Sequence, residues 1–205
     1  MTVLDQLSSD YLGAIDYKSS AHSFKLQDAY DGLSLQFMTY LDVIKEAFPN
    51  QKIWGALYLQ FKNQPINLSE INHLSEIAGL LKESMRYDGL VLEEAADQIK
   101  AIENITVKKS NIYNQEEFEQ LLKLNENHYQ HAGQRLKSGQ IAINPIMKRS
   151  EGIDQTGNVR GCRYCPLKSI CRFEANVHMN DHSREIGQKS QAEILAELKG
   201  EGRNE

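Results

Sequence analysis

The period of the hydrophobic positions changes several times along the chain, and each change marks an element. Residues 11–17 (YLGAIDY) form a short apolar run that ends at Lys18-Ser19-Ser20, the profile of a buried strand. Over residues 26–48 apolar side chains return at Leu33, Phe37, Leu41 and Ile44. Spacings of four, four and three predict one long amphipathic helix, stopped by Pro49-Asn50. Residues 53–61 (IWGALYLQF) are rich in aromatics and read as a second strand, closed by Lys62-Asn63-Gln64-Pro65. Strand, helix, strand is a βαβ unit, so the fold class is α/β. Residues 68–86 and 115–136 read as helices, the second carrying Phe118, Leu121 and Leu122, with Glu116 and Glu117 near its start. The link between them, residues 87–114, shows no dominant period.

From Gly139 onward the character shifts. Gly, Asn, Pro and Asp become frequent, and the segment GCRYCPLKSICRF follows. Residues 184–205 begin with a helical pattern and end in a polar, charged tail. These shifts divide the chain into an α/β core over residues 1–138, a cysteine-containing segment over 139–182 and a tail over 183–205. No internal repeat or low-complexity tract interrupts them.

Composition narrows the function classes. With 205 residues, 40% of them hydrophobic and 25% charged, the chain can bury a core. No run approaches the roughly 20 apolar residues of a membrane span, and the start MTVLDQLSSD has neither a basic nor an apolar leader region, so the expected setting is cytoplasmic. A net charge of −5 excludes a uniformly basic nucleic-acid surface. It leaves room for a local one, because Lys148, Arg149, Arg160, Arg163, Lys168 and Arg172 fall in one stretch. No G-x-x-x-x-G-K-[ST] loop occurs, so nothing in the chain supports ATP hydrolysis.

Two constellations carry candidate chemistry. The first is Asp16-Tyr17-Lys18 at the end of the first strand. Residues two apart on a strand project from the same face, which sets a carboxylate beside an ammonium. A hard cation such as Mg2+ takes carboxylate oxygen and keeps open positions for water, and a neighbouring lysine can orient that water and stabilise developing phosphate charge. Gln36 and Tyr40, four apart on the following helix, share one face and can point toward the same strand end. A strand-end Asp-x-Lys is also an ordinary solvated terminus, and a helix tyrosine an ordinary core residue.

The second is Cys162, Cys165 and Cys171, spaced C-x2-C-x5-C with Pro166 after the second. Three clustered thiols suggest a soft metal centre that needs a fourth ligand. Spacing alone leaves open an iron-sulfur cluster, a zinc site completed by His178 or His182, and three reduced thiols. His128 and His131, three apart on a helix, have no matching ligand partner and read as surface residues.

The runs IDYKSS, DAYDGLSLQFMTYLDVI and WGALYLQF together resemble the nuclease core of the AddB and RexB family, in which a (D/E)xK strand precedes a helix bearing QxxxY. The resemblance covers essentially the whole chain. It implies a restriction-endonuclease-like PD-(D/E)xK fold in which Asp16 and the Tyr17 carbonyl bind catalytic Mg2+, Lys18 is the catalytic lysine, and Gln36 and Tyr40 occupy the QxxxY positions. It implies DNA as substrate and an AddA/RexA-type helicase-nuclease subunit as partner. By the same resemblance, Cys162, Cys165 and Cys171 match the three-cysteine segment of a [4Fe-4S] cluster whose fourth cysteine lies far upstream in the family.

The sequence also departs from that pattern. The family supplies a second acid from a segment resembling GRIDRID; Val3-Leu4-Asp5 falls on its last three residues, and the ligand aspartate falls on Thr2. Asp5 is the nearest carboxylate to that position. No fourth cysteine is present. The expectation is therefore a fragment of a DNA exonuclease subunit with little activity alone; a DNA-end-binding or structural module and a small zinc protein are the alternatives.

Overall fold

The computed structural model describes residues 2–8, 10–20, 22–61, 85–103, 108, 111–148, 151–155, 158–174, 183–187 and 189–201. It separates into two compact units, one of Met1–Asn127 with Leu195–Glu205 and one of His128–Ile194.

The larger unit is built on a five-stranded sheet. Its strands β1 (Thr2–Ser8), β2 (Tyr11–Lys18), β3 (Lys52–Phe61), β4 (Met85–Leu92) and β5 (Ile112–Tyr113) lie in that order across the sheet. β1 runs antiparallel to β2, and β2 runs parallel to β3, as a βαβ unit requires. β4 returns antiparallel to β3 and parallel to β5.

The helix expected over residues 26–48 is two helices, α1 (Leu26–Tyr30) and α2 (Gln36–Ala47). Gly32 breaks it by adopting φ 75°, a left-handed conformation that glycine takes without a Cβ penalty. The Leu33 N–H then bonds back to the Asp28 carbonyl at 2.7 Å and the Gly32 N–H to Ala29 at 3.0 Å, the paired bonds of a Schellman terminus. Leu33, which fitted the helical spacing, is left exposed in the turn.

Both faces of the sheet are covered. On one, Phe24, Phe37, Met38, Leu41 and Ile44 pack with Leu12, Ala14 and Ala56 beneath α2. On the other, Trp54, Leu57 and Val91 meet Ala95, Ala96 and Ile99 of α3 (Glu93–Glu103). Trp54 is an extra residue in β3, since Leu12 pairs with Ile53 and Gly13 with Gly55. Its indole lies where a Cβ on Gly13 would sit, 2.2 Å away, and donates from Nε1 to the Asp5 carbonyl at 3.3 Å. One side chain thereby ties three strands.

Residues 87–114, which showed no period, contain most of β4, all of α3 and β5. Leu90, Val91 and Leu92 are all buried, so β4 is continuous rather than alternating, and the pattern that marks a half-exposed strand is missing. Of the helix expected over residues 68–86, positions 68–84 lie outside the described residues, while Met85 and Arg86 belong to β4. Pairing with Phe61 and Gln60 of β3 extends them into the sheet.

The long helix α4 (Gln115–Lys137) is where the sequence predicts it. Asn114 and Glu117 form a reciprocal capping box, Asn114 Oδ1 accepting from the Glu117 N–H at 2.9 Å and Glu117 Oε2 from the Asn114 N–H at 3.3 Å. The second unit holds the two-stranded parallel sheet β6 (Ile146–Lys148) and β7 (Arg184–Ile186), the short helix α5 (Lys168–Cys171), and buried Val159, Phe173 and Ile186. The polar C-terminal stretch contains helix α6 (Gln191–Glu201), capped by Ser190 and Glu193. Within the larger unit, Leu198 is buried, Glu197 accepts from Tyr30 Oη at 2.6 Å and Lys199 reaches Glu117 at 3.4 Å.

Candidate active site

Strand register brings the candidate residues of the first constellation together. Even-numbered positions of β2 face α2, so Leu12, Ala14 and Asp16 are all buried on that side. Asp16 pairs with Tyr58 across the parallel ladder, and Tyr58 with Asp88 across the antiparallel one. Cross-strand partners share a face, so these form a transverse row.

Asp16 is 3% exposed, yet its Oδ2 lies 2.8 Å from Lys18 Nζ. Lys18 Nζ also donates to Gln36 Oε1 at 3.2 Å, and Gln36 Nε2 donates to Tyr40 Oη at 2.5 Å. All four predicted residues therefore make one continuous polar chain, from a buried carboxylate to a half-buried phenol at the protein surface. The break at Gly32 makes this possible, because it places Gln36 in the first turn of α2. Tyr40 is half-buried rather than a core aromatic, and its hydroxyl accepts from Gln36.

The hydrogen bond to Asp16 holds the Lys18 ammonium above the ordinary lysine value, while its own burial pulls the other way. The lysine is a cation throughout the neutral range, suited to stabilising anionic charge rather than to accepting a proton. Tyr58, which the sequence pattern did not single out, lies under it: Lys18 Nζ is 5.2 Å from the ring centroid. Burial raises the Tyr58 phenol. Asp88 acts as a brace. It accepts from the Phe24 N–H at 2.9 Å, Lys108 Nζ at 2.7 Å and Asn111 Nδ2 at 3.3 Å, fixing the segment that leaves β2. Neither residue was visible without the register, which is set by pairing far apart in sequence.

The register also settles the two candidate positions for a second acid. Thr2 is the cross-strand partner of Asp16, whereas Asp5 pairs with Gly13. Gly13 and Asp16 are an odd number apart, so Asp5 faces the opposite side of the sheet and cannot stand in.

The buried Asp16 carboxylate fits a hard divalent cation, since Mg2+ binds through one or two carboxylates and keeps several waters. It does not supply a closed cage: among the described residues no group of three or more His, Cys, Asp or Glu side chains is placed to hold a metal ion.

The same finding bears on the cysteines. Cys162, Cys165 and Cys171 are free thiols, the second exposed and the others half-buried. Burial raises the Cys162 thiol, and charge on Cys171 and Cys165 raises it further. They are neighbours, but they do not converge as a ligand set, so as placed they do not fit a cluster. His178 and His182 lie outside the described residues. Three residues of the basic stretch share two carboxylates within their own unit: Glu151 pairs with Lys148, Arg160 and Arg163, and Asp154 with Arg163.

A mixed sheet with a strand-end Asp-x-Lys linked to Q-x-x-x-Y on α2 defines a class, and the chain belongs to it: the PD-(D/E)XK nuclease superfamily, whose sequence profile matches residues 3–172. Nucleases of this superfamily generally use Mg2+. More particularly, the chain is 88% identical over 202 residues to the exonuclease/helicase subunit RexB of Lactococcus lactis subsp. cremoris MG1363, covering 98% of this chain. It is equally similar to an ATP-dependent helicase/deoxyribonuclease subunit of strain SK11. The subunit of the same name from Streptococcus agalactiae serotype Ia is 35% identical over 179 residues, 86% of this chain. The chain spans only 18% of the length of the Lactococcus relatives and 16% of the Streptococcus one. Among the described residues no helix is long and apolar enough to cross a membrane.

Proposed function

We propose that this chain is the nuclease part of a Mg2+-dependent DNA exonuclease subunit, working in the cytoplasm with an AddA/RexA-type helicase-nuclease partner in recombinational repair of double-strand breaks. The observation that carries this reading is the continuous chain Asp16–Lys18–Gln36–Tyr40 at one strand end.

In this reading Asp16 and the Tyr17 carbonyl hold Mg2+, which when bound supplies an acidified water and a counter-charge for the scissile phosphate. Lys18 stays protonated and faces the charge that develops on the phosphoryl oxygens. Gln36 fixes the Lys18 ammonium and, with Tyr40, orients the backbone of the DNA at the rim. Thr2 stands opposite Asp16 where a second carboxylate would share the metal, so the site is one ligand short. The partner and the rest of the relatives' length supply ATP-driven translocation; this chain has no phosphate-binding loop for it.

The cysteine segment carries three thiols. In a longer protein they are three ligands of a [4Fe-4S] cluster that a fourth cysteine completes; as placed in this chain they are not a ligand set.

Incubating the purified chain with linear duplex DNA and Mg2+ tests the nuclease reading. Cleavage at or near background is expected, and any above it disappears in Lys18→Met. Mg2+-dependent cleavage that survives Lys18→Met contradicts the assignment.

A further inference from the structure

Around the Lys18 ammonium lie the Asp16 carboxylate at 2.8 Å, the Gln36 amide oxygen at 3.2 Å and the Tyr58 ring face, its centroid 5.2 Å away. If Asp16 is to bind a metal through Oδ2, that oxygen must be yielded by the lysine that now faces it. The ammonium then needs another place to rest that does not carry it away from the phosphate.

The Tyr58 ring is built to provide one. It is 5% exposed and neighbours Asp16 across the ladder, so its distance from the carboxylate is set by backbone rather than by a flexible stem. Phe37 packs against it with centroids 3.9 Å apart, and the His22 ring lies at 5.7 Å. Its hydroxyl is engaged by the Ser34 side chain. Held in this way, the ring cannot swing aside, and its π face offers a cation site that does not compete for the metal.

We propose that Tyr58 is a positioning residue for Lys18: its ring face receives the ammonium when a divalent cation takes Asp16, so that metal and lysine occupy the site together instead of excluding one another. Gln36 steadies the ammonium during the exchange. This rests on the metal reading of Asp16 and assigns Tyr58 no contact with substrate.

The test is the affinity of the whole chain for Mg2+ alone, measured by calorimetry as a double-mutant cycle. Without the ring, Lys18 stays on Asp16 and competes with the ion. Tyr58→Leu is expected to weaken Mg2+ binding about two- to fivefold, the equivalent of a cation–π contact at a partly exposed site, and Tyr58→Phe to preserve it. In a Lys18→Met background the Tyr58→Leu effect is expected to vanish, a result that general loosening of the core does not give. Equal affinities for Tyr58→Leu and Tyr58→Phe, or the same loss with and without Lys18, overturn the proposal. Should Tyr58→Leu fail to fold, the wild-type chain decides: nuclear Overhauser contacts between the Lys18 ε-methylene and the Tyr58 ring persist at saturating Mg2+, and their disappearance overturns it. Failure of the underlying reading looks different, because Mg2+ affinity is then unchanged in Asp16→Asn.

Discussion

At the scale of single residues, the candidate site centres on a buried carboxylate whose Oδ2 faces the Lys18 ammonium. Lys18→Met leaves the Asp16 carboxylate, 3% exposed, without its cation, at a cost of about 1–3 kcal/mol. Thermal unfolding should show this loss in metal-free buffer, and Mg2+ should raise the melting temperature of Lys18→Met more than that of the wild type, because the ion no longer has to move an ammonium from Asp16 to the Tyr58 ring. A variant that Mg2+ stabilises less than the wild type contradicts the exchange. The pH dependence has a definite sign. A lysine raised in the folded state contributes stability that is whole below its ordinary value of 10.5 and is lost as pH climbs through the raised one. The pair should thus be insensitive to pH around neutrality, and denaturant titrations should separate wild type from Lys18→Met less as pH rises above that value. Asp16 and Lys18, and Gln36 and Tyr40, could be paired from sequence because each pair is local, two apart on a strand or four apart on a helix, and the family resemblance joined the two pairs into one candidate site. Tyr58 and Asp88 were not, since only the β2–β3–β4 register brings them beside Asp16.

At the scale of elements, local signals located most of the fold and missed where they competed. Both flanking strands of the βαβ unit and the long helix from Gln115 follow from period and caps. The spacing of Leu33, Phe37, Leu41 and Ile44 predicted an unbroken helix, yet Gly32 was the stronger signal, because a left-handed residue with paired Schellman bonds ends a helix whatever pattern follows. Similarly, the Ser190-x-x-Glu193 capping box inside a polar tail marked α6. The register of β1 makes a further prediction. Thr2→Asp puts a carboxylate across from Asp16; a charge of −1 facing +2 at about 4 Å is worth roughly 2 kcal/mol even in water, so Mg2+ should bind at least about tenfold tighter. Asp5→Asn, on the other face, should leave that affinity unchanged. The opposite pattern in calorimetry contradicts the register.

At the scale of the whole molecule, the chain covers 18% of its Lactococcus relatives yet contains a covered sheet with helices on both faces. Its C-terminal helix belongs to the same unit as the sheet: Leu195–Glu205 groups with Met1–Asn127, with Leu198 buried and Glu197 held by Tyr30. Leu198→Ala should therefore cost about 2–5 kcal/mol in urea unfolding, whereas a solvated tail would register almost nothing. The cysteine segment shows where sequence and structure part. Spacing brought Cys162, Cys165 and Cys171 into one short stretch, but among the described residues their side chains do not form a set that could hold a metal ion, which local spacing could not tell.

The central claim, that Asp16 is the metal-binding end of a nuclease site, is tested most directly by Mn2+ binding, followed by electron paramagnetic resonance, with Mg2+ as competitor. Mn2+ shares the oxygen preference of Mg2+ and reports its own coordination. One site that Mg2+ displaces, present in the wild type and lost in Asp16→Asn, is the predicted result; binding that is identical in Asp16→Asn contradicts it.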